Sequence, residues 1–379
     1  MEIQTFTLQS GQQEEIPAYS IHDPAKTLII MFGASNMSDA PALIRQVCYA
    51  YPGVMVIGCS TVGEILDTHI HDDSFTGAVV EFARTTIRSA SVEIHDSLDS
   101  YRAGEKLSEA LWAPDLRGVF VLSDGLMING SELVQGLNAT LPESVVVTGG
   151  LAGDGKHFQR TWVIHDGQPK SGYVTAVGLY GDAVRIGHGS KGGWEMLGLE
   201  RRVTRSERNV LYELDGKPAL ELYKKYLGDR AAELPASCLF FPLAFRPNGS
   251  EDRKLVRTIL QIDEAQQSMT FAGDIPQGSI AQFMRASFDR LVEGASQAAS
   301  LTVHEQRLDQ STLAIAISCV GRRLVLGERT EEEVEATLDV LPSGTAQIGF
   351  YSYGELSPYT NGRCDLHNQT MTLTTITET

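Results

Sequence analysis

An internal repeat constrains this chain more than any other feature of its sequence. Residues 57–65 (IGCSTVGEI) recur as residues 348–356 (IGFYSYGEL), with the glycines and the glutamates Glu64 and Glu355 in the same register. Each copy follows an apolar run that ends in glycine and a stretch of helical periodicity, and each precedes a further strand-like run. Both copies therefore predict the order β-α-β-turn-β.

A third copy follows the same order with a shorter glycine turn, and we expect a fourth. The third is formed by strands 119–122 and 145–148, helix 131–141, turn 149–155 and strand 160–164; the fourth lies around 238–245 and 257–263. Alternating polar and apolar residues at 173–189 and 201–216 predict antiparallel meanders. Helices are expected at 218–227 and 279–299.

These units predict a mixed α/β fold. We expect two lobes of mixed sheet flanked by helices, built from the repeated units in an αββα layering and joined near residues 200–212. Domains are predicted at 1–208 and 209–379. The glycine turns should lie at equivalent ends of the sheets and line a ligand pocket.

Composition excludes several classes of partner. The net charge of -17 over 379 residues repels nucleic acid and anionic membrane surfaces, and the chain has no compensating basic patch. The N-terminal region has no apolar signal core and no run of apolar residues is long enough to span a membrane, so we expect a cytoplasmic protein. The five cysteines follow no disulfide or metal spacing and predict reduced, buried thiols.

Two glycine-rich segments resemble nucleotide-binding motifs without matching them. GLAGDGKH (150–157) has the spacing of a phosphate loop, but His157 replaces the magnesium-binding hydroxyl, Asp154 would repel phosphate, and a strand follows instead of a helix. GHGSKG (187–192) satisfies G-x-G-x-x-G without a helix after it. It predicts a loop between strands.

Catalytic and metal motifs are equally incomplete, and we expect that the chain is not an enzyme. GCSTV (58–62) lacks the second glycine of a nucleophile elbow. Glu64 and Glu355 recur in a turn, where capping or hydrogen bonding of turn amides explains them better than acid-base chemistry. His69 and His71, beside two aspartates, lack a third firm metal ligand and predict a solvated loop.

The repeat, together with VFVLSDGL (119–126), VVTGGLAGDG (146–155), GDIPQGS (273–279) and LHNQTMTLT (366–374), resembles the FIST family of bacterial sensory proteins with N-terminal and C-terminal FIST domains. The resemblance covers nearly the whole chain. It implies ligand sensing in signal transduction. A chain with no output domain of its own is similar to the NosP-type nitric-oxide sensors, which implies a bound haem b, nitric oxide as ligand, a histidine kinase or other signalling protein as partner, and a possible homodimer.

A gas-sensing haem needs a neutral imidazole on the iron and an apolar pocket. We predict His188 as the axial ligand, with Trp194 and Met196 against the macrocycle, because these residues follow an apolar strand in a glycine-rich segment. His367 is the second candidate. His157 and His165 come third, while His22, His95 and His304 have no supporting context.

Two alternatives remain open at this point. A FIST protein without haem would hold a small polar metabolite, such as an amino acid, through turn amides and the side chains of Glu64, Asp154, Arg257, Arg285 and Glu355. An enzyme would use Cys59 or an acidic pair in a cleft between the lobes.

Overall fold

The computed structural model describes residues 1–9, 16, 18–155, 157–234, 236–247, 254–303, 311–359 and 362–379. His304 lies outside the described residues. The α-helices are α1 (Ala40–Ala50), α2 (Ser100–Leu111), α3 (Gly130–Thr140), α4 (Ala219–Leu227), α5 (Phe288–Ser300), α6 (Val320–Leu326) and α7 (Thr330–Leu338). No helix in these ranges is both long and apolar enough to span a membrane.

The strands are β1 (Glu2–Gln9), β2 (Thr27–Ala34), β3 (Met55–Thr61), β4 (Glu64–Leu66), β5 (His69–His71), β6 (Ser74–Glu81), β7 (Thr86–Glu93), β8 (Leu116–Ser123), β9 (Val146–Leu151), β10 (Val163–His165), β11 (Gln168–Lys170), β12 (Tyr173–Tyr180), β13 (Val184–Lys191), β14 (Glu195–Glu207), β15 (Val210–Leu214), β16 (Lys217–Pro218), β17 (Leu243–Arg246), β18 (Leu255–Arg257), β19 (Ile259–Asp263), β20 (Ser268–Phe271), β21 (Ile280–Arg285), β22 (Thr312–Cys319), β23 (Ala346–Ser352), β24 (Gly354–Pro358), β25 (Cys364–His367) and β26 (Met371–Glu378).

Three of the four sheets share one topology, and the mixed α/β class is confirmed. Their strand orders are β1-β6-β2-β3-β10-β11, β7-β12-β8-β9-β24-β25 and β13-β26-β22-β23-β4-β5. In each, the two central strands are parallel and the others are antiparallel. Because parallel neighbours need a crossover, each central pair is joined through helix: α1, α3, and α6 with α7.

Each repeat unit gives its hairpin to the sheet of another unit. The first unit supplies β4 and β5 to the third sheet, the second supplies β10 and β11 to the first, and the third supplies β24 and β25 to the second. The exchange is cyclic, so the three sheets form one interlocked body. Their inner faces share a single apolar core, and helices cover the outer faces.

The three glycine turns meet at one end of this body. The amide of Val62 donates to the carbonyl of Tyr351 at 2.9 Å, that of Tyr353 to Leu151 at 3.2 Å, and that of Gly153 to Ser60 at 3.0 Å. These bonds close a ring among the units, which we call the turn ring. The three amides that close the ring are therefore satisfied by protein. That such turns line a ligand pocket stays a prediction.

The fourth sheet, formed by residues 195–285, interrupts the pattern between the second and third units. It has the order β18-β17-β21-β14-β15-β20-β19, with β16 beside β15, and packs on α4 around its own core. The expected fourth repeat is wrong, since β17, β18 and β19 belong to this antiparallel sheet. The expected helix at 279–299 is corrected too: its first part is β21, which pairs with β14 and β17, and only the remainder is α5.

The two predicted meanders differ in outcome. Residues 201–216 form the antiparallel hairpin β14–β15, as expected. In contrast, β12 and β13 pair in different sheets, so 173–189 is not a meander. The predicted boundary at 208/209 falls in the turn of the β14–β15 hairpin and stays a prediction.

Candidate functional site

A large cavity lies where the edge strand β13, the hairpin β24–β25 and the inserted sheet meet. Its volume is about 770 Å³, within the range of roughly 300–1,000 Å³ that is typical of small-molecule sites. Four residues predicted from sequence line it: His188, Trp194, Met196 and His367. His188, Trp194 and Met196 come from β13, the following loop and β14, whereas His367 comes from β25, far away in the chain.

His188 occupies the middle of β13 and faces away from α5. The neighbours Gly187 and Gly189 point to the other side, where added Cβ atoms would lie 2.6 Å from the carbonyl oxygen of Thr302 and 2.1 Å from that of Ala298. These glycines therefore allow α5 to approach the strand. The expectation of a loop around His188 is corrected, because residues 184–191 are strand throughout.

The imidazole of His188 is set up to be neutral. Burial lowers its pKa from the usual value, because removal from water disfavours the charged form. Within the described residues its ring nitrogens have no hydrogen-bond partner. A neutral imidazole with an available nitrogen is the form that binds a metal ion.

His367, on β25, is a buried residue that also lines the cavity. It is 7% exposed, and its Nε2 lies 2.9 Å from the carbonyl oxygen of Ser357. Its ring centroid is 4.7 Å from that of Tyr359, which also lines the cavity. The contact with Ser357 gives this histidine a structural role in the β24–β25 hairpin.

Methionine and tryptophan side chains form much of the apolar wall of the cavity. Trp194 is 9% exposed, and its Nε1 donates to the carbonyl of Gln369 at 2.8 Å. Met196 and Met284, from the paired strands β14 and β21, lie beside it. Flexible thioethers and an indole adapt well to a flat apolar ligand.

Among the residues that the structure describes, all the charged residues that line the cavity are basic. They are Arg185, Lys191 and Lys254, and no carboxylate of the described ranges lies in the wall. This local excess is notable in a chain with a net charge of -17. A cavity with basic side chains at its rim favours an anionic ligand.

Glu64 and Glu355 lie in the turn ring and do not line this cavity, although Glu355 bonds Thr370, which does. Each is 0% exposed. Ser74 Oγ donates to Glu64 at 3.1 Å, and Ser352 Oγ and Thr370 Oγ1 donate to Glu355 at 2.7 and 2.9 Å. Burial raises the pKa of both carboxyl groups to about 8. Their partners are hydroxyls and the backbone amide of Thr370, whereas the sequence predicted capping or hydrogen bonds to turn amides.

Asp154 is the counterpart of these glutamates in the second unit and organises a loop. Its carboxylate accepts the backbone amides of Phe158, Gln159 and Arg160 at 2.7–2.9 Å, and also the hydroxyl of Tyr353. Burial opposes ionisation, but these hydrogen bonds together lower the pKa of Asp154. Because the Asp154 carboxylate occupies the amides of residues 158–160 and brings negative charge to the loop, the loop does not suit a phosphate group, which agrees with the rejection of a phosphate loop here.

The remaining residues predicted from sequence lie outside the cavity wall. Arg285 bonds Glu195 at 2.8 Å on the surface, and buried Arg257 donates to the carbonyl of Leu366 at 2.9 Å. His165 stacks on Tyr173, whereas His157 is exposed. The structure does not place Arg257, Arg285 or these two histidines in the cavity wall.

The thiol of Cys59 is fully buried, and burial raises its pKa well above the usual value. A thiol of this kind is a poor nucleophile. All five cysteines are free, as the sequence predicted, and four of them are buried.

Sequence reasoning missed several residues that matter here. Lys254, Met284 and Tyr359 reach the cavity from distant segments, and no local pattern marks them. His22 lies with Glu2 and Glu81, with their potential ligand atoms within 4.8 Å of one another. The direct pairing of Glu2 with Glu81 across β1 and β6 creates this group, which the sequence alone does not display.

Comparison with known proteins gives one relative of undefined function. An uncharacterised protein of Methanocaldococcus jannaschii is 26% identical over 271 residues, which cover 62% of this chain and 49% of that protein. The chain thus spans about half the length of this curated relative.

A comparison of folds finds cyanuric acid hydrolase from A. caulinodans, with 9% identity, a TM-score of 0.37, and coverage of 99% of this chain and 98% of that one. This finding corrects the expectation that the chain is not an enzyme, because the matched protein is a hydrolase. The expectation is withdrawn. At this TM-score the likeness gives the present chain no activity.

Family models match nearly the whole chain. The FIST N domain matches residues 27–217, and the FIST C domain matches residues 219–358. FIST domains are associated with sensing and signal transduction. On this match, the chain belongs to the FIST family.

Proposed function

We propose that this FIST protein senses nitric oxide through haem b held in the cavity between β13, the hairpin β24–β25 and the inserted sheet. The observation that supports this proposal most is the composition of the wall in the described part of the chain: two imidazoles, two thioethers and an indole, with Arg185, Lys191 and Lys254 as the charged residues and no carboxylate among them. We further propose that the protein acts in the cytoplasm and passes the signal to a histidine kinase.

The residues fit such a group in their chemistry. His188 supplies a neutral imidazole, and Trp194, Met196 and Met284 supply apolar surface for a flat ring. The basic side chains suit the propionate carboxylates of haem. When bound, the haem would supply an iron atom able to take up a diatomic gas.

His188 fits the role of axial ligand better than His367. The imidazole of His188 has no hydrogen bond to give up among the described residues, whereas Nε2 of His367 lies against the carbonyl of Ser357. Recruiting His367 through that nitrogen would cost a buried hydrogen bond. We therefore assign His188 to the iron and keep His367 as the alternative.

The cavity wall also packs against helices that could carry a change in packing to a partner protein. Trp194 and Met284 pack with Leu291 of α5 and with Val325 and Leu326 of α6 in one apolar cluster. A ligand that shifts this wall favours a different packing of the two helices, and a kinase that binds one packing reads the change.

Titration with haemin, followed by absorption spectroscopy with and without nitric oxide, tests the proposal. We expect a Soret band that shifts on binding and again on addition of nitric oxide. His188→Ala should abolish the part of the Soret shift that comes from histidine binding to the iron. His165→Ala, which alters a histidine stacked on Tyr173, should match the wild type. Absence of haemin binding by the folded wild-type protein would refute the proposal.

The basic wall also favours a second candidate, a carboxylate-bearing metabolite such as an amino acid bound without haem. This reading uses Arg185, Lys191 and Lys254 and needs neither histidine. It predicts a colourless protein whose midpoint of thermal unfolding rises with an amino acid at saturating concentration. Substitution of both lysines by glutamine should remove that rise.

A further inference from the structure

A buried ion pair lies directly behind the cavity wall. Arg322 and Glu333 are both 0% exposed, and Nε and Nη2 of Arg322 lie 2.9 and 2.6 Å from Oε2 of Glu333. The desolvation cost of such a pair offsets much of its attraction. The role of the pair therefore depends on the other groups that Arg322 and Glu333 hydrogen-bond and hold in place.

The other donors of Arg322 hold backbone from two sides. Nη1 donates to the carbonyl of Gly192, and Nη2 donates to that of Leu291 in α5 at 2.8 Å. Gly192 lines the cavity, and an added Cβ on Gly193 would lie 2.0 Å from the carbonyl oxygen of Arg290. The guanidinium thus fastens residues 192–194, which we call the wall segment, against α5.

The carboxylate of Glu333 extends this network toward the turn ring. Its Oε1 accepts from Ser318 Oγ at 2.9 Å and from the hydroxyl of Tyr351 at 2.8 Å. The carbonyl of Tyr351 in turn accepts the amide of Val62. A continuous set of hydrogen bonds therefore joins the cavity wall to the point where the three units meet.

We infer that Arg322, oriented by Glu333, is a positioning residue for the cavity that fixes the wall segment and thereby the place of Trp194. The identity of the ligand in this inference rests on the proposed function, whereas the position of the wall does not. Arg323 offers a matched control, because its guanidinium bonds Asp72 at 2.7 Å and the carbonyl of Val62 but does not line the cavity.

Acrylamide quenching of tryptophan fluorescence in the ligand-free protein tests the position of the wall. In a Trp112→Phe background the exposed indole is gone, and Trp162 is only 1% exposed, so quenching reports Trp194. Arg322→Lys keeps the positive charge but loses the planar guanidinium that bonds several acceptors at once. We expect it to raise the quenching constant about threefold. Arg323→Lys should leave it unchanged.

Haemin affinity gives the second readout, where Arg322→Lys should weaken binding about tenfold and Arg323→Lys should not. If Arg322→Lys fails to fold, Arg322→Met/Glu333→Leu removes both charges together and carries the same test. Unchanged quenching in a folded Arg322 variant overturns the inference, as do equal effects of the two single variants. Failure of the wild type to bind haemin would instead overturn the proposed function and leave the quenching result to decide this inference.

Discussion

At the scale of single residues, Glu64 shows how burial in the turn ring favours a protonated carboxyl group. Its carboxyl group is fully buried, and burial outweighs the hydrogen bonds from Thr61 and Ser74, so its pKa rises from 4.5 to about 8. At neutral pH it is held mainly as the acid. Glu355 is buried among similar hydroxyl donors, and burial raises its pKa in the same way.

Replacement of Glu64 by glutamine should change how stability depends on pH. Between pH 4.5 and about 8 the folded state holds a proton that the unfolded state has lost. The free energy of unfolding therefore falls as pH rises, by up to about 1.4 kcal/mol per pH unit for this group. Glu64→Gln should flatten the curve over this window and gain stability relative to wild type at pH 8.

Urea unfolding from pH 5 to pH 8 measures this slope. Glu335→Gln, an exposed substitution on α7, is the control and should follow the wild type. If the Glu64→Gln curve runs parallel to the wild-type curve, the buried proton is absent.

The cavity residues show what local sequence can and cannot reveal. His188, Trp194 and Met196 are close in the chain, so a single short segment of sequence is enough to predict that they share a site. Lys254 and Tyr359 join them only because the inserted sheet and the β24–β25 hairpin meet at β13. Such long-range contacts are fixed by strand pairing, which the sequence does not state.

At the scale of elements, the repeated glycines mark where two parallel strands approach closely. Added Cβ atoms at Gly58, Gly149 and Gly349 would lie 2.0, 1.9 and 1.8 Å from a carbonyl oxygen of the neighbouring strand. The repeat was visible in the sequence because this steric need recurs in each unit. The helix at 279–299 was overpredicted because pairing with β14 and β17 decides the conformation of residues 280–285.

Alanine at Gly349 should be strongly destabilising. The new methyl group would meet the carbonyl of Ala316, which is held by the strand ladder and cannot move aside. We expect a loss of about 3 kcal/mol or more in the free energy of unfolding. Chemical denaturation of the purified variant measures it.

Gly216→Ala separates this steric effect from backbone strain. Gly216 has a φ of 72° and nothing within 4 Å of an added Cβ, so its substitution should cost only about 1–2 kcal/mol. Similar losses at the two positions would contradict the close-approach explanation.

At the scale of the whole molecule, hairpin exchange makes the three sheets depend on one another. The repeats predicted the units, but each unit places its hairpin in another unit's sheet, which no local pattern shows. Residues 1–208 contain β4 and β5 but not their partner β23, and residues 209–379 contain β24 and β25 but not β9.

Neither half should therefore fold alone. We expect residues 1–208 and residues 209–379, expressed separately, to lack a cooperative thermal transition, because each exposes incomplete sheets. Their coexpression should restore a complex that melts as one unit. A sharp transition in the isolated 1–208 fragment would show that the exchange is not needed for folding.

The central claim is that the cavity beside β13 holds haem on His188. Anomalous diffraction at the iron edge, from crystals grown with haemin, tests it most directly. We predict one strong iron peak inside the cavity, next to the imidazole of His188 and absent in His188→Ala crystals. An iron peak outside the cavity, or none in crystals of the haemin-treated wild-type protein, would contradict it.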